Sequence, residues 1–227
     1  MNDYRLNVFK KASLCRHFEN KVFQLSKEKI IKYPVYLSAG QEFIASSIST
    51  IYHDFDISPE IFIQHRGHST YLAFGGIIDL LILELLGDSK GCANGMGGSA
   101  SIQCKEKKIY GHDGLMGNQI PIAVGSCFAS RNQTIAFVGD SAAEEDYVFS
   151  AIGWAATKKL PILFVIEDNN LSILTEKKVR RSWEMHDVGK GFGIESYNIS
   201  DNPFEIKKFI KKPLEKPLLL NINTERK

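Results

Sequence analysis

Apolar positions along the chain fall into two kinds of run. "TIAFV" (134–138), "PILFVIE" (161–167) and "PLLLNI" (217–222) are continuous, with no polar alternation. Runs of this length and kind are strands buried on both faces, the mark of a parallel sheet covered by helices. "EIFIQ" (60–64) is a shorter strand of the same type and leads straight into "HRGHS". Elsewhere the period is helical: residues 3–26, 40–53, 117–131, 144–159 and 203–212. In the segment 144–159, Tyr147, Val148, Ala151, Trp154 and Ala155 share one face. Residues 69–87 are also helical material. Their core, "GGIIDLLILELLG" (75–87), reads as a buried helix, because Asp79 and Glu84 break it and it is too short for a membrane span. "GCANGMGGSAS" (91–101) is a glycine-rich loop whose backbone must bend sharply or approach something closely.

Strand, helix, strand, helix, strand predicts an α/β fold with a mostly parallel central sheet flanked by helices. A chain of 227 residues supports one sizeable core, so 1–227 is read as a single domain, with 1–39 as an N-terminal helical arm. The formal charge of +2, without a basic stripe, argues against nucleic acid or a membrane as partner. Cys15, Cys92, Cys104 and Cys127 lie in four different segments without a C-x-x-C pair, which fits reduced thiols in a cytoplasmic protein. The amino-terminal stretch is mixed and amphipathic, unlike an apolar leader.

The chemistry is carried by the unit from Thr134 to Asn170. In a right-handed β-α-β unit both strands end on the same edge of the sheet. Asp140, in "FVGDSAAEED", and Asn169, in "EDNN", therefore meet there although far apart in sequence. Crevices at such strand ends bind ligands. A carboxylate and an amide are hard oxygen donors that suit Mg²⁺ or Ca²⁺, and Mg²⁺ with so few protein ligands shares its coordination with phosphates. Ser141, Ala142 and Ala143 then open a helix at 144, with free N–H groups facing the crevice as a phosphate seat. Read alone, "GDS" is equally a turn with a helix cap, and "DNN" a loop.

The stretch "GDSAAEEDYVFSAIGWAATKKLPILFVIEDNN" resembles the thiamine-diphosphate motif, GDG followed some 25 to 30 residues later by N or NN. "HRGHSTYLAFGG", "GCANGMGGSAS" and "GHDGLMGNQIPIAVGSCFA" are similar, in the same order, to the Y-R-x-H-G, G-x-G-G-S-M-H and G-I-V-G-x-Q-x-P-x-A-x-G segments of the alpha subunits of 2-oxo acid dehydrogenases. The resemblance spans residues 65–170. It implies a single thiamine-diphosphate-binding fold of the transketolase-like kind, acting on a 2-oxo acid by decarboxylation with transfer of the acyl or aldehyde unit. It implies Mg²⁺ on the side chains of Asp140 and Asn169 and the carbonyl of Leu171. Gly139, Ser141 and Ala142 would line the diphosphate, with His65 and Arg66 against it; Gly114 and Met116 would hold the aminopyrimidine; and His68 would be an active-site histidine. It also implies a beta-type partner subunit that supplies the pyrimidine-site glutamate, in a heterotetramer. A split transketolase-type or sugar carboligase subunit is the alternative enzyme, and a non-catalytic partner subunit the alternative of another class.

Three departures stand out. Ser141 replaces the motif's second glycine, Ser101 replaces the histidine of G-G-S-M-H, and Glu144, Glu145 and Asp146 put three acids beside a polyanion site. "TEKKVRRSW" (175–183) is read as a solvated basic face rather than a mobile active-site loop.

Overall fold

The computed structural model describes residues 3–227. Among them, helices α1 (Tyr4–Lys27) and α2 (Glu42–Asp54) precede strand β1 (Glu60–Phe62). Helices α3 (His68–Ala73) and α4 (Ile78–Leu85), strand β2 (Ile109–Tyr110) and helix α5 (Gln119–Ser130) follow. Then come β3 (Thr134–Gly139), α6 (Asp146–Lys158) and β4 (Ile162–Asp168). A small hairpin, β5 (Leu171–Ser172) and β6 (Thr175–Glu176), leads into α7 (Lys177–Arg180) and α8 (Met185–Gly191). The chain closes with β7 (Glu195–Ser200), α9 (Pro203–Phe209) and β8 (Leu218–Asn223).

Six of the described strands form one sheet in the order β2-β1-β3-β4-β8-β7, and every pairing in it is parallel. The absence of polar alternation in β3, β4 and β8 has a direct cause. Ile135 and Phe137 of β3, with Leu163 and Val165 of β4, pack under α1, α2 and α4. Ala136 and Val138, with Ile162, Phe164 and Ile166, pack under α5 and α6 on the other face. Both pleat faces are therefore apolar.

The α/β sandwich matches the sequence expectation, and three local expectations change. The stretch 75–87 is not buried all round: Gly75 (φ +83°) and Gly76 separate α3 from α4. α4 then buries Leu81, Glu84 and Leu85 while Ile78, Ile82 and Leu86 face solvent. The helix expected from 144 begins at Asp146, after a separate 3₁₀ turn over Ala142–Glu144. β2 and β7 were not foreseen; β2 is two residues long, and β7 is an edge strand with only Ser196 and Ile199 buried. The four cysteines are free thiols.

A candidate cation and diphosphate site at the strand ends

Strand order reverses around β1 and β3, since β2 lies on one side and β4 on the other. Ligands of open α/β sheets settle outside the carboxyl ends of strands at such a point. The strand ends there carry Gln64, His65 and Arg66 after β1, Asp140 to Ala142 after β3, and Glu167 to Asn169 at the end of β4. Gly139 and Glu167 are register partners. A Cβ on Gly139 would lie 3.3 Å from Gln64 Oε1, so a side chain there would crowd the β1 end.

Asp140 is buried, 1% exposed. Burial, and then the charge of Asp168, push its carboxyl up, while Arg180 and Arg181 pull the other way. Arg180 Nη2 donates to Asp140 Oδ2 at 2.6 Å, and its Nη1 donates to Glu144. Arg181 Nη1 donates to the Asp140 carbonyl at 3.1 Å. At Asp168, burial opposes the charge, but hydrogen bonds from Lys177 (2.7 Å) and Asn221 (3.0 Å) outweigh it and hold the carboxyl low. The basic run is thus not a solvated face. The side chains of Lys177, Arg180 and Arg181 are 17%, 12% and 1% exposed, each set against a carboxylate, and Lys178, at 78%, is the one that stays in water. The expectation failed because the fold, and not the local sequence, sets these cations against Asp140, Glu144, Asp168 and Glu184.

Asn169 and Leu171 sit in a tight turn: Asn170 has φ +64°, and Leu171 N donates to Asn169 Oδ1 at 3.2 Å. The turn fixes the amide and leaves its oxygen a second lone pair. No group of three or more His, Cys, Asp or Glu side chains among the described residues can hold a metal. The donors expected from the sequence, at the ends of the neighbouring strands β3 and β4, are of another kind: the Asp140 carboxylate, the Asn169 amide oxygen and the Leu171 backbone carbonyl. That set fits Mg²⁺, with Arg180 already on one Asp140 oxygen.

Ser141 lies at φ −74°, ψ −44°, an ordinary right-handed conformation that needs no glycine. The 3₁₀ turn after it leaves the first N–H groups of Ala142 and Ala143 without partners inside the turn. These groups belong to that turn, and not to the first turn of α6. The acidic residues divide by direction: Glu144 is paired with Arg180 and Arg181, while Glu145 and Asp146 begin α6, where their charge suits the helix dipole.

His65 stacks edge-on with Tyr36 and tilts toward His112, the ring centroids 5.4 and 6.0 Å away. Burial, and then Arg66, lower it to about 4, so it is neutral near pH 7. Arg66 Nη1 donates to the Leu37 carbonyl at 3.2 Å. Burial, and then the charge of Arg226, destabilise the Arg66 cation, and among the described residues neither arginine has a salt bridge. Glu167 is pushed by burial up to about 7 and accepts a hydrogen bond from Gln64.

His68 is wholly buried. Its Nδ1 faces Glu19 Oε2 at 3.0 Å and its Nε2 faces Ser99 Oγ at 2.9 Å. A proton on Nδ1 and the Ser99 hydroxyl proton directed at Nε2 satisfy both contacts. In this structure the imidazole has no nitrogen free to face a reacting centre. Ser99 belongs to the glycine loop, which closes around Glu84: the backbone N–H groups of Ala93, Gly95, Gly97 and Gly98 donate to that carboxylate at 2.7 to 3.0 Å. Gly114 (φ +104°) and Met116 sit in an exposed loop, with Met116 41% exposed and so not part of the core. The Met116 carbonyl accepts a hydrogen bond from Tyr147 of α6, which ties that loop to the first turn of the helix.

Sequence reasoning missed Lys177, Arg180 and Arg181 as site residues, along with Gln64, Glu84, Glu167 and Arg226. The signal for the first three was present, a basic run within a dozen residues of Asn169.

The family model of the dehydrogenase E1 component matches residues 10–212, and the chain belongs to that family. Within it the chain is similar to alpha subunits of pyruvate dehydrogenase E1. It is 32% identical to that of Rickettsia felis over 208 residues, covering 88% of this chain and 62% of the relative. It is 31% identical to that of Rickettsia bellii, covering 97% and 71%. With the mitochondrial alpha-1 subunit of Oryza sativa the identity is 34%, over 75% of this chain and 44% of the relative. The chain thus spans about three fifths of the length of several relatives it matches. Among solved structures, transketolase from Campylobacter jejuni superposes on 99% of this chain and 38% of its own, with a TM-score of 0.74 at 18% identity, which shows the fold.

Proposed function

We propose that this chain is the diphosphate-binding, alpha-type half of a thiamine-diphosphate- and Mg²⁺-dependent enzyme that decarboxylates a 2-oxo acid and passes on the acyl or aldehyde unit. The observation that carries the reading is Asp140 and Asn169 at the carboxyl ends of adjacent parallel strands, beside a turn with free N–H groups. Asp140, Asn169 and the Leu171 carbonyl would hold the cation. Gly139, Ser141 and Ala142 would receive the diphosphate on backbone N–H groups, and Arg66, free of any carboxylate partner, would meet its oxygens as a fork. The bound cofactor would supply an electron sink for the carbon–carbon cleavage. His65, neutral at working pH, adds no charge against Arg66. Gly114 and Met116 would present backbone groups to the aminopyrimidine from a loop that Tyr147 holds in place. His68 acts through its neighbours, fixing Ser99 and with it the glycine loop.

Leu115, Met116, Ile173, Leu174 and Val179, in the two loops that carry Gly114 and follow Asn169, expose their apolar side chains. They are the surface on which a beta-type subunit would seat its pyrimidine-site glutamate, giving a heterotetramer. No helix among the described residues is long and apolar enough to cross a membrane. The test is turnover by the chain co-purified with its beta-type partner. Oxidative decarboxylation of a 2-oxo acid with an artificial electron acceptor is the expected activity. Ketol transfer between sugars without such decarboxylation would overturn it.

A further inference from the structure

Asp140 is a buried carboxylate, and an uncompensated charge there would be costly. Its compensation comes from one place. Arg180 Nη2 sits 2.6 Å from Asp140 Oδ2 while Nη1 bonds Glu144, and Arg181 holds the Asp140 carbonyl. Both arginines keep unused donors in this buried position: among the described residues Arg180 Nε, Arg181 Nε and Arg181 Nη2 have no hydrogen-bond partner, Arg181 Nη2 lying 3.9 Å from Glu184 Oε2. Guanidinium donors buried without acceptors are unusual and call for an anion.

The strap that carries them, residues 171–183, has little apolar contact besides Trp183, which packs edge-on to Phe149 with ring centroids 5.4 Å apart. Ile173, Leu174 and Val179 are 81%, 82% and 72% exposed. α7 is only four residues long, and Arg181 leaves it fully extended (φ −154°, ψ 156°). The strap is held mainly by its charges, with Lys177 on Asp168 and Glu184 as the second point of attachment. A segment of this kind opens at low cost once its charges find other partners.

We propose that Arg180 is a resident occupant of the cation position. Its guanidinium neutralises Asp140 until a divalent cation displaces it, and the freed guanidinium, with that of Arg181, then binds the anion that accompanies the cation. The inference rests on the proposed metal role of Asp140 and goes beyond it, because it makes cation and anion binding depend on each other through one side chain. A cation that takes Asp140 Oδ2 releases donors for a diphosphate, so each ligand strengthens the other.

The test uses the full chain and Mn²⁺ as probe, with free ion measured by electron paramagnetic resonance, with and without inorganic pyrophosphate. Arg180→Gln removes the competitor, so Mn²⁺ alone is expected to bind about tenfold more tightly than to wild type. Pyrophosphate is expected to tighten Mn²⁺ in wild type by a clearly larger factor than in Arg180→Gln. Lys178→Gln makes the same charge change on the same strap at an exposed site, and is expected to shift Mn²⁺ affinity by less than about twofold. Trp183, 4.7 Å from the Arg181 guanidinium, reports the strap directly. In a Trp154→Phe background its emission should change as Mn²⁺ is added to wild type, and much less in Arg180→Gln. Equal or weaker Mn²⁺ binding by Arg180→Gln, with Asp140→Asn still abolishing it, overturns the displacement and leaves the metal reading intact. Mn²⁺ binding that is unaffected by Asp140→Asn, or absent in wild type and Arg180→Gln alike, overturns both.

Discussion

Ser141 and Glu144 are two of the residues at which this chain departs from its motif, and the structure explains both. A glycine is required where φ is positive or a side chain would collide; Ser141 has φ −74°. Ser141→Gly therefore gains nothing at the site and loosens the unfolded chain. It should lower the unfolding free energy by about 0.5–1 kcal/mol, read by urea titration, with pyrophosphate affinity kept within about twofold. Glu144 does not face a phosphate unshielded, because Arg180 and Arg181 lie on it.

Two groups at the same edge, the half-buried His65 and the buried Glu167, give a pH test with opposite signs. His65 titrates at about 4 in the fold against an ordinary 6.5, so the unfolded chain takes its proton first and stability falls as pH drops from 6.5 to 4. Glu167 titrates at about 7 against 4.5, so the unfolded chain loses its proton first and stability falls as pH rises from 4.5 to 7. Each effect is at most about 3 kcal/mol, and over the shared window they offset each other. Glu167→Gln should remove one slope. The difference between variant and wild type in urea midpoint should then grow in the variant's favour from pH 4.5 to 7. An unchanged difference would show that Glu167 keeps an ordinary carboxyl in the fold.

Elements with long apolar runs were legible in the sequence, and elements defined by tertiary contact were not. β3, β4 and β8 declare themselves because both faces are buried, so no register of polar residues is needed. β7 is invisible for the converse reason: as an edge strand it keeps Glu195, Tyr197 and Asn198 in water and reads as a loop. α6 starts late because the chain uses a 3₁₀ turn to carry Ser141 to Glu144 around the Asp140 end. The glycine loop was recognisable as a loop, but its organiser was not. Glu84 looked like a polar break in an apolar helix, and it is the acceptor for four backbone N–H groups. Glu84→Ala leaves those donors buried around a void and should cost about 3 kcal/mol of stability in chemical denaturation, while Glu84→Gln, which keeps one oxygen, should cost about half of that.

For the whole molecule, the candidate site lies at the edge of the sheet where β1, β3 and β4 end, and the loops next in sequence to it expose apolar side chains. That layout suits a half-site completed by another subunit. With a beta-type partner bound, amide exchange in 112–118 and 171–179 should slow by about tenfold or more, while the amides of α9, which packs against α2, keep their rates. Asp140 and Asn169 were readable as a pair because a β-α-β unit fixes where its strands end. The cations facing them were not, since which carboxylates they meet depends on how the strap after the hairpin folds back.

The most direct measurement is calorimetric titration of the chain, purified with its partner, by thiamine diphosphate in the presence of Mg²⁺. The account predicts saturable binding that Asp140→Ala and Asn169→Ala each weaken by about a hundredfold or more, with no loss of the folded complex. Binding by Asp140→Ala as tight as that of wild type would contradict it.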